Sequence, residues 1–471
     1  MKQILNYVKK SKLLTCALLS LAGSTTTLAQ DANPWTTMKQ ITKAIPQTKF
    51  TKASFNILNY GAIADGTTLN TEAIRKAIVD CNKKGGGKVI VPKGKFLTGA
   101  IHLENNINLY LEEGAELLFS TNPKDYPLVN TFFEGTECIN YSPLIYAYKK
   151  KNIAVSGKGI LNGQASESNW WKWVGKNHKP VAGEPSQNDP ENRDRLVQMA
   201  EDNVPVNQRV FGENRYLRPN FVEFLECDTA LLQGVTIQNA PFWIIHPTKS
   251  QNIIIDGVTV NSHGPNNDGC DPEYSKNVWI KNCIFNTGDD CIAIKSGRDA
   301  DGRRVARPSE NIIIQNCEMK DGHGGVVIGS EISAGVRNVY VENCNMDSPH
   351  LDRAIRIKTN SKRGGMTENI YARNLKVGTV KECVLKLNML YAIYGDPSGP
   401  HTPTIRNVHL ENIKVKNGGK FAIWAIGLEQ SPISNVTLKN VTIDKVQKDF
   451  SLQNTKDFKY YNTKINGKKI N

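Results

Sequence analysis

Apolar and polar positions alternate through the second half of the chain in a unit that keeps returning. The unit reads Asn-φ-x-φ-x-(Asn/Gly)-φ-x-φ, with φ apolar. It appears as NIIIDGVTV (252–260), NVWIKNCIF (277–285), NIIIQNCEM (311–319), NVYVENCNM (338–346), NIYARNLKV (369–377), NVHLENIKV (407–415) and NVTLKNVTI (435–443). Weaker copies are NIAVSGKGI (152–160) and TALLQGVTI (229–237). The clear copies start 25, 34, 27, 31, 38 and 28 residues apart. Period-two alternation predicts short strands with one face inward, and Asn or Gly marks the turns.

Recurrence at about 20–50 residues signals a solenoid or a propeller, and propeller blades take about 40–45. These units are shorter, all-β, and lack the fixed leucine offsets of leucine-rich repeats. The fold class predicted is therefore all-β, a single-stranded right-handed parallel β-helix. Its coils stack ~4.8 Å apart, so equivalent side chains form ladders. The open ends of such a stack need covering. TEAIRKAIVDC (71–81) places Ala73, Ile74, Ala77 and Ile78 on one face and predicts a helix over the N-terminal end. Asn70 or Thr71 is suited to cap it, and the glycines at 85–87 end it. The polar tail after Lys448 is expected to close the other end loosely.

Residues 163–215 break the alternation. They carry Trp170, Trp171, Trp173 and many charges, and read as an insertion on the coil, not a domain. Long loops on a repeat scaffold commonly border its binding face, which makes the tryptophans candidates for sugar stacking. A surface loop without substrate contact is the alternative.

The first 29 residues stand apart. Lys9, Lys10 and Lys12 precede an apolar stretch, Leu13 to Ala22, too short to span a bilayer. Thr27-Leu28-Ala29 is a small-residue cleavage site. Residues 1–29 are thus expected to be an export signal, with residues 30–471 a single β-helix domain in the periplasm or outside the cell. No later apolar run reaches 18 residues, so no membrane span is expected.

Loss of residues 1–29 removes four lysines and no acid, taking the formal net charge from +14 to +10. That sign favours polyanions: nucleic acid, anionic lipid or an acidic polysaccharide. Export argues against nucleic acid, and no basic helix or RNA-binding aromatic motif occurs. Ordinary solubilising charge remains the bland reading. Nine cysteines follow residue 29, none in a C-x-x-C pair. Cys283, Cys317 and Cys344 share one context, Asn-Cys closing an apolar strand. This points to stacked buried thiols more than to a disulfide framework, with one or two bridges still open. No Cys/His spacing matches a zinc pattern, and nothing calls for a metal or another cofactor.

Four strings carry the candidate chemistry: NNDGCD (266–271), TGDDC (287–291), GHGG (322–325) and RIK (356–358). Each alone reads as a polar turn or a solvated strand face. Their spacing changes that. Asp268 and Asp290 are 22 residues apart, and Asp290 to His323 and His323 to Arg356 are 33 each. These separations match the repeat and put Asp268, Asp289, Asp290, His323, Arg356 and Lys358 on consecutive coils of one face. Carboxylates one strand apart repel, so at least one pKa is expected to rise. A raised carboxyl can protonate a glycosidic oxygen while an ionised one activates water. Arg356 and Lys358 alternate on a strand and point the same way, suited to a substrate carboxylate.

Taken together, NNDGCDP, TGDDCIAIKSG, GHGGVVIGSE and RIK resemble the polygalacturonases of glycoside hydrolase family 28. FNILNYGAIADGTTLNTEAIRKAI (55–78) is similar to the opening of pectin-lyase-like β-helix proteins. The resemblance spans roughly residues 53–445. It implies inverting hydrolysis of α-linked galacturonosyl bonds in pectin or galacturonan. It also implies Asp289 as general acid, Asp268 and Asp290 handling the attacking water, His323 tuning the acid, and Arg356 and Lys358 gripping the uronate carboxylate. Asn267 stands where the family often has Thr. The family's tyrosine on the coil after RIK has no match in KECVLKL, with Tyr391 and Tyr394 as weak substitutes. SGRDADGRR and GHGGVVIGSEISAGVRNV are similar to bacterial exo-acting members, so removal of terminal galacturonate units is expected. A rhamnogalacturonan or substituted-galacturonan hydrolase is the nearest rival. A lyase of the same shape, or a non-catalytic adhesin, is more remote.

Overall fold

The computed structural model describes residues 33–175, 179, 181–392 and 396–470. The expected export signal lies outside them. The alternating units form a parallel β-helix. Most split at the inner Asn or Gly into two short strands, as in Gln251–Asp256 and Thr259–Ser262, whereas the last two copies run unbroken within Thr404–Asn417 and Ile433–Lys445. The strands of these units pair in parallel with their counterparts one coil on, for example Ile253 with Val278 and Val278 with Ile312. Inward Val, Ile, Leu and Cys side chains of all coils merge into one continuous core.

The recurring asparagines set the coil's corners. Asn252, Asn277, Asn311, Asn338, Asn369, Asn407 and Asn435 all adopt left-handed backbone, which Asn tolerates better than most residues. Each amide nitrogen donates to the amide oxygen one coil back, from Asn277 onto Asn252 at 3.1 Å through Asn435 onto Asn407 at 2.8 Å. A second ladder runs through Asn374, Asn412, Asn440 and Asn462. The nine cysteines among the described residues are free and buried, so stacked thiols replace the bridges left open by the sequence.

The N-terminal helix spans Thr71–Lys83 and buries Ala73, Ile74, Ala77, Ile78 and Cys81 over the first coil. Asn70 occupies the cap position without capping. Its side chain instead accepts from Ile63 N and donates to backbone oxygens of Ile63 and Thr68. An additional helix, Pro34–Ala44, lies on the outer wall. Its Trp35 and Met38 pack on Ile313 and Tyr340, where long outward side chains leave an apolar strip. The far end is closed more firmly than its polarity suggests. Strands continue through Thr463–Ile465, and Lys468–Ile470 folds back antiparallel on that last strand.

The insertion differs from expectation in what its tryptophans do. Trp170 and Trp173 are buried, pack edge-to-face at 4.8 Å, and meet Tyr126 and Tyr141. Trp171 donates to Ala240 O at 2.8 Å. Two indoles packed on each other need no sugar to cover them, so Trp170 and Trp173 anchor the insertion and are not offered to a substrate. The sequence SGRDADGRRVARP, read as a lengthened turn, holds a short helix, Asp299–Val305. Its buried Asp301 pairs with Arg209 of the insertion at 2.8 Å and accepts from Glu137 N at 2.8 Å. Glu137 belongs to an antiparallel hairpin, Leu128–Phe133 and Thr136–Tyr141. Hairpin, insertion and helix are thereby locked together beside the cleft.

Candidate active site

The cleft-side face of the coil is built from a four-stranded and a six-stranded parallel sheet. They meet at the coil carrying Asp268, where only isolated bridges through Cys270 and Glu273 join Ile245 to Ile292 and Thr248 to Lys295. Pro272 lies between them and has no N–H to give to the ladder. The irregular backbone turns Asp268 outward. Asn267, the departure noted in the first motif, pins that turn. Its oxygen accepts from Ser262 Oγ at 2.6 Å and Gly264 N at 2.9 Å, and its nitrogen donates to Ala240 and Phe242 carbonyls.

The six residues singled out by spacing converge on one cavity of about 480 Å³, with Asp290 just beneath its lining. Asp268, Asp289 and Asp290 each present a carboxylate oxygen within 4.8 Å of the other two. Their side chains are 5, 20 and 0 % exposed, so Asp289 is the one that faces the opening. His323 N donates to Asp289 O at 3.0 Å, and its Nδ1 lies 3.0 Å from Asp289 Oδ1. The glycines beside it allow this approach. A Cβ on Gly322 would stand 2.7 Å from Asp289 O. Lys358 Nζ donates to Asp290 Oδ2 at 2.7 Å, and Arg356 lies 3.8 Å from Asp290 Oδ1. That Oδ1 is buried and accepts no hydrogen bond among the described residues.

Three residues essential to this charge balance were not singled out from the sequence. Lys295 Nζ sits 3.4 Å from Asp268, 3.5 Å from Asp271 and 3.3 Å from Glu331, all buried. Lys295 and Glu331 lie inside the motifs already quoted. A lone lysine ending the apolar run CIAIK was the available signal. Tyr391, rated a weak substitute, lines the cavity with its ring 5.2 Å from Arg356 and 5.4 Å from Lys358. Tyr394 lies outside the described residues. Glu134, from the hairpin turn, and Lys179, from the insertion, wall the same cavity.

Electrostatics divide the carboxylates. Burial pushes Asp268 well up, and the charges of Asp289 and Asp271 push the same way against Lys295. Burial also opposes ionisation of Asp289, but the His323 hydrogen bond and the charges of His323, Lys358 and Lys295 outweigh it and hold that carboxyl low. His323 is pushed up to about 9, first by its hydrogen bond to Asp289. The expected raised carboxyl therefore exists, but in the unliganded site it is Asp268, not Asp289. The three carboxylates are close enough to share a cation. The Lys295 and Lys358 ammonium groups already contact Asp268 and Asp290, so a divalent ion there would meet their positive charge.

The model of the glycosyl hydrolases family 28 matches residues 209–464. The chain is 40 % identical to a hyperthermoactive exopolygalacturonase from Thermotoga maritima, with a TM-score of 0.89 over 93 % of this chain and 97 % of that one. It is 31 % identical to an exo-poly-alpha-D-galacturonosidase of Dickeya chrysanthemi over 83 % of this chain and 64 % of the relative. It is 27 % identical to a probable polygalacturonase of Vitis vinifera over 83 % of this chain and 74 % of the relative.

Proposed function

The chain belongs to the glycosyl hydrolases family 28 and hydrolyses galacturonan, and we propose that it removes terminal galacturonate units with inversion at the anomeric carbon. The observation that carries the chemistry is the juxtaposition of three carboxylates with Arg356 and Lys358 in one cavity. A neutral or cationic sugar would leave those two cations without an anionic partner in the substrate.

Substrate binding accounts for the proton's place. Lys358 is among the charges that hold the Asp289 carboxyl low. A uronate carboxylate drawn to Arg356 and Lys358 offsets positive charge that holds Asp289 low. The proton held on Asp268 then moves to Asp289, which delivers it to the departing glycosidic oxygen. Asp268, now ionised, and Asp290 Oδ1 hold a water between them. As the water oxygen bonds to the anomeric carbon and the glycosidic C–O bond breaks, the water's proton passes to this pair. A two-carboxylate inverting site leaves about 6.5–9.5 Å for the water. Here the third carboxylate supplies that place within a tighter cluster.

Exo action is supported by the walls. Glu134, from the hairpin that Asp301 holds through Glu137 N, and Lys179 both stand on the wall of the cavity. Polygalacturonate digests sampled over time are expected to release monogalacturonate from the first minutes, carrying the β-anomeric proton signal before mutarotation. A ladder of mid-size oligomers would exclude exo action, and an initial α-anomer would exclude inversion. We also place the enzyme outside the cytoplasm, on the strength of residues 1–29. N-terminal sequencing of the protein from a fractionated host should begin at Gln30, and an intact Met1 would refute export.

A further inference from the structure

The row of outward positions on the cleft face does not stop at the two assigned cations. Arg356 is paired in register with Lys386 on the next strand, Cys383–Asn388, and Lys386 with Trp424 on the strand after, Phe421–Ile426. Leu385 and Leu387 enter the core, so Lys386 points to the same side as Arg356 and Lys358. Its side chain is 7 % exposed, against 8 % for each of those two.

Lys386 is held as a binding group is held. Its ammonium lies 3.5 Å from the centre of the Trp424 ring and 3.1 Å from Glu382 Oε1. Glu382 is shared with Arg353, which also pairs with Asp352 at 3.3 Å. Burial pushes Lys386 down to about 8, and repulsion from Arg353 and Arg356 adds to this against Glu382. The patch has more positive charge than its carboxylates balance, next to a site for an anionic polymer. Lys386 lies one coil, ~4.8 Å, beyond Arg356 along this face.

We propose that Lys386, steadied by Trp424 and Glu382, binds the carboxylate of the uronate unit next to the one gripped by Arg356 and Lys358. This rests on the galacturonan reading above and adds a specificity for chain length. Lys386 is a binding residue and Trp424 a positioning residue.

The test compares initial rates on digalacturonate and trigalacturonate. In Lys386→Met, kcat/KM for the trimer relative to the dimer is expected to fall about tenfold, the scale of one charge-assisted hydrogen bond. The change should reside in KM. Lys386→Arg should retain most of the preference, and Trp424→Leu should lose part of it, which carries the test if Lys386→Met folds poorly. An unchanged ratio, or equal losses on both oligomers, would overturn the assignment. A wild-type protein that turns over neither oligomer would overturn the galacturonan reading itself, and this one with it.

Discussion

Asp289→Asn is expected to lower kcat on polygalacturonate by about 10²–10⁴-fold, the usual contribution of a positioned general acid. The amide matches the carboxyl in shape and can keep the His323 contact at 3.0 Å, so the fold should survive. Two readouts separate loss of a proton donor from loss of position. A galacturonide with a nitrophenolate leaving group, whose departing oxygen needs little protonation, should lose far less. The His323 imidazole, pushed up to about 9 chiefly by Asp289, should titrate closer to its ordinary value of about 6.5 when followed by NMR. Near-normal turnover of the natural polymer would remove Asp289 from the acid's role. An equal loss on the activated substrate would assign it to binding.

Lys295→Met is expected to cost about 3–5 kcal/mol of stability near neutral pH, as when one partner of a buried ion pair is removed. The methionine fits the space of the lysine stem, but Asp268, Asp271 and Glu331 lose their shared cation. The pH dependence follows from the shifts. Asp268 and Asp271 are already raised in the folded state, so their ionisation costs stability as pH climbs from about 4. In the wild type Lys295 offsets this. Its own folded value is raised, so that stabilisation is present below about 10.4 and lost only above. Glu331 is held low against its burial, first by Lys295, and its stabilisation at higher pH goes too. The deficit should therefore be smaller near pH 4, where Asp268 and Asp271 stay protonated, and grow toward pH 8. Thermal unfolding of both proteins across that range reads it. A deficit independent of pH would mean that packing, and not charge, is what Lys295 provides.

The repeat made the coil and the catalytic ladder legible because both are periodic. Asn277 or Asn311 can be read from the chain because each coil imposes the same left-handed corner on the same residue type. Asp268, Asp289, His323 and Arg356 were found because one coil's length separates them. Lys295 was passed over although Asp268 and Glu331 lie 27 and 36 residues from it, because a single lysine closing an apolar strand reads as a solvated end. Asp271 and Glu331 reach it from an irregular turn and from beyond the end of a strand, and only their burial turns three scattered charges into one cluster. Trp170 and Trp173 were misjudged for a related reason. Composition shows that an indole is present, but whether it meets a sugar or another indole depends on how an aperiodic loop folds back. The protonation pattern lay furthest out of reach. It depends on ångström differences among His323, Lys358 and Lys295.

The asparagine corners also determine what this molecule can become. Each amide reads only the amide directly below it, so it registers where a coil passes and not how long the coil was. Successive corners are 25 to 38 residues apart, yet their amide contacts stay between 2.8 and 3.2 Å. Extra residues can accumulate on the cleft side of a coil without shifting the aspartates of its neighbours by a single position. The scaffold thus separates two properties that most enzymes must alter together. Loops can grow, shrink or be exchanged to choose which length or decoration of polymer enters, while the bond-breaking row remains indexed by the asparagine corners.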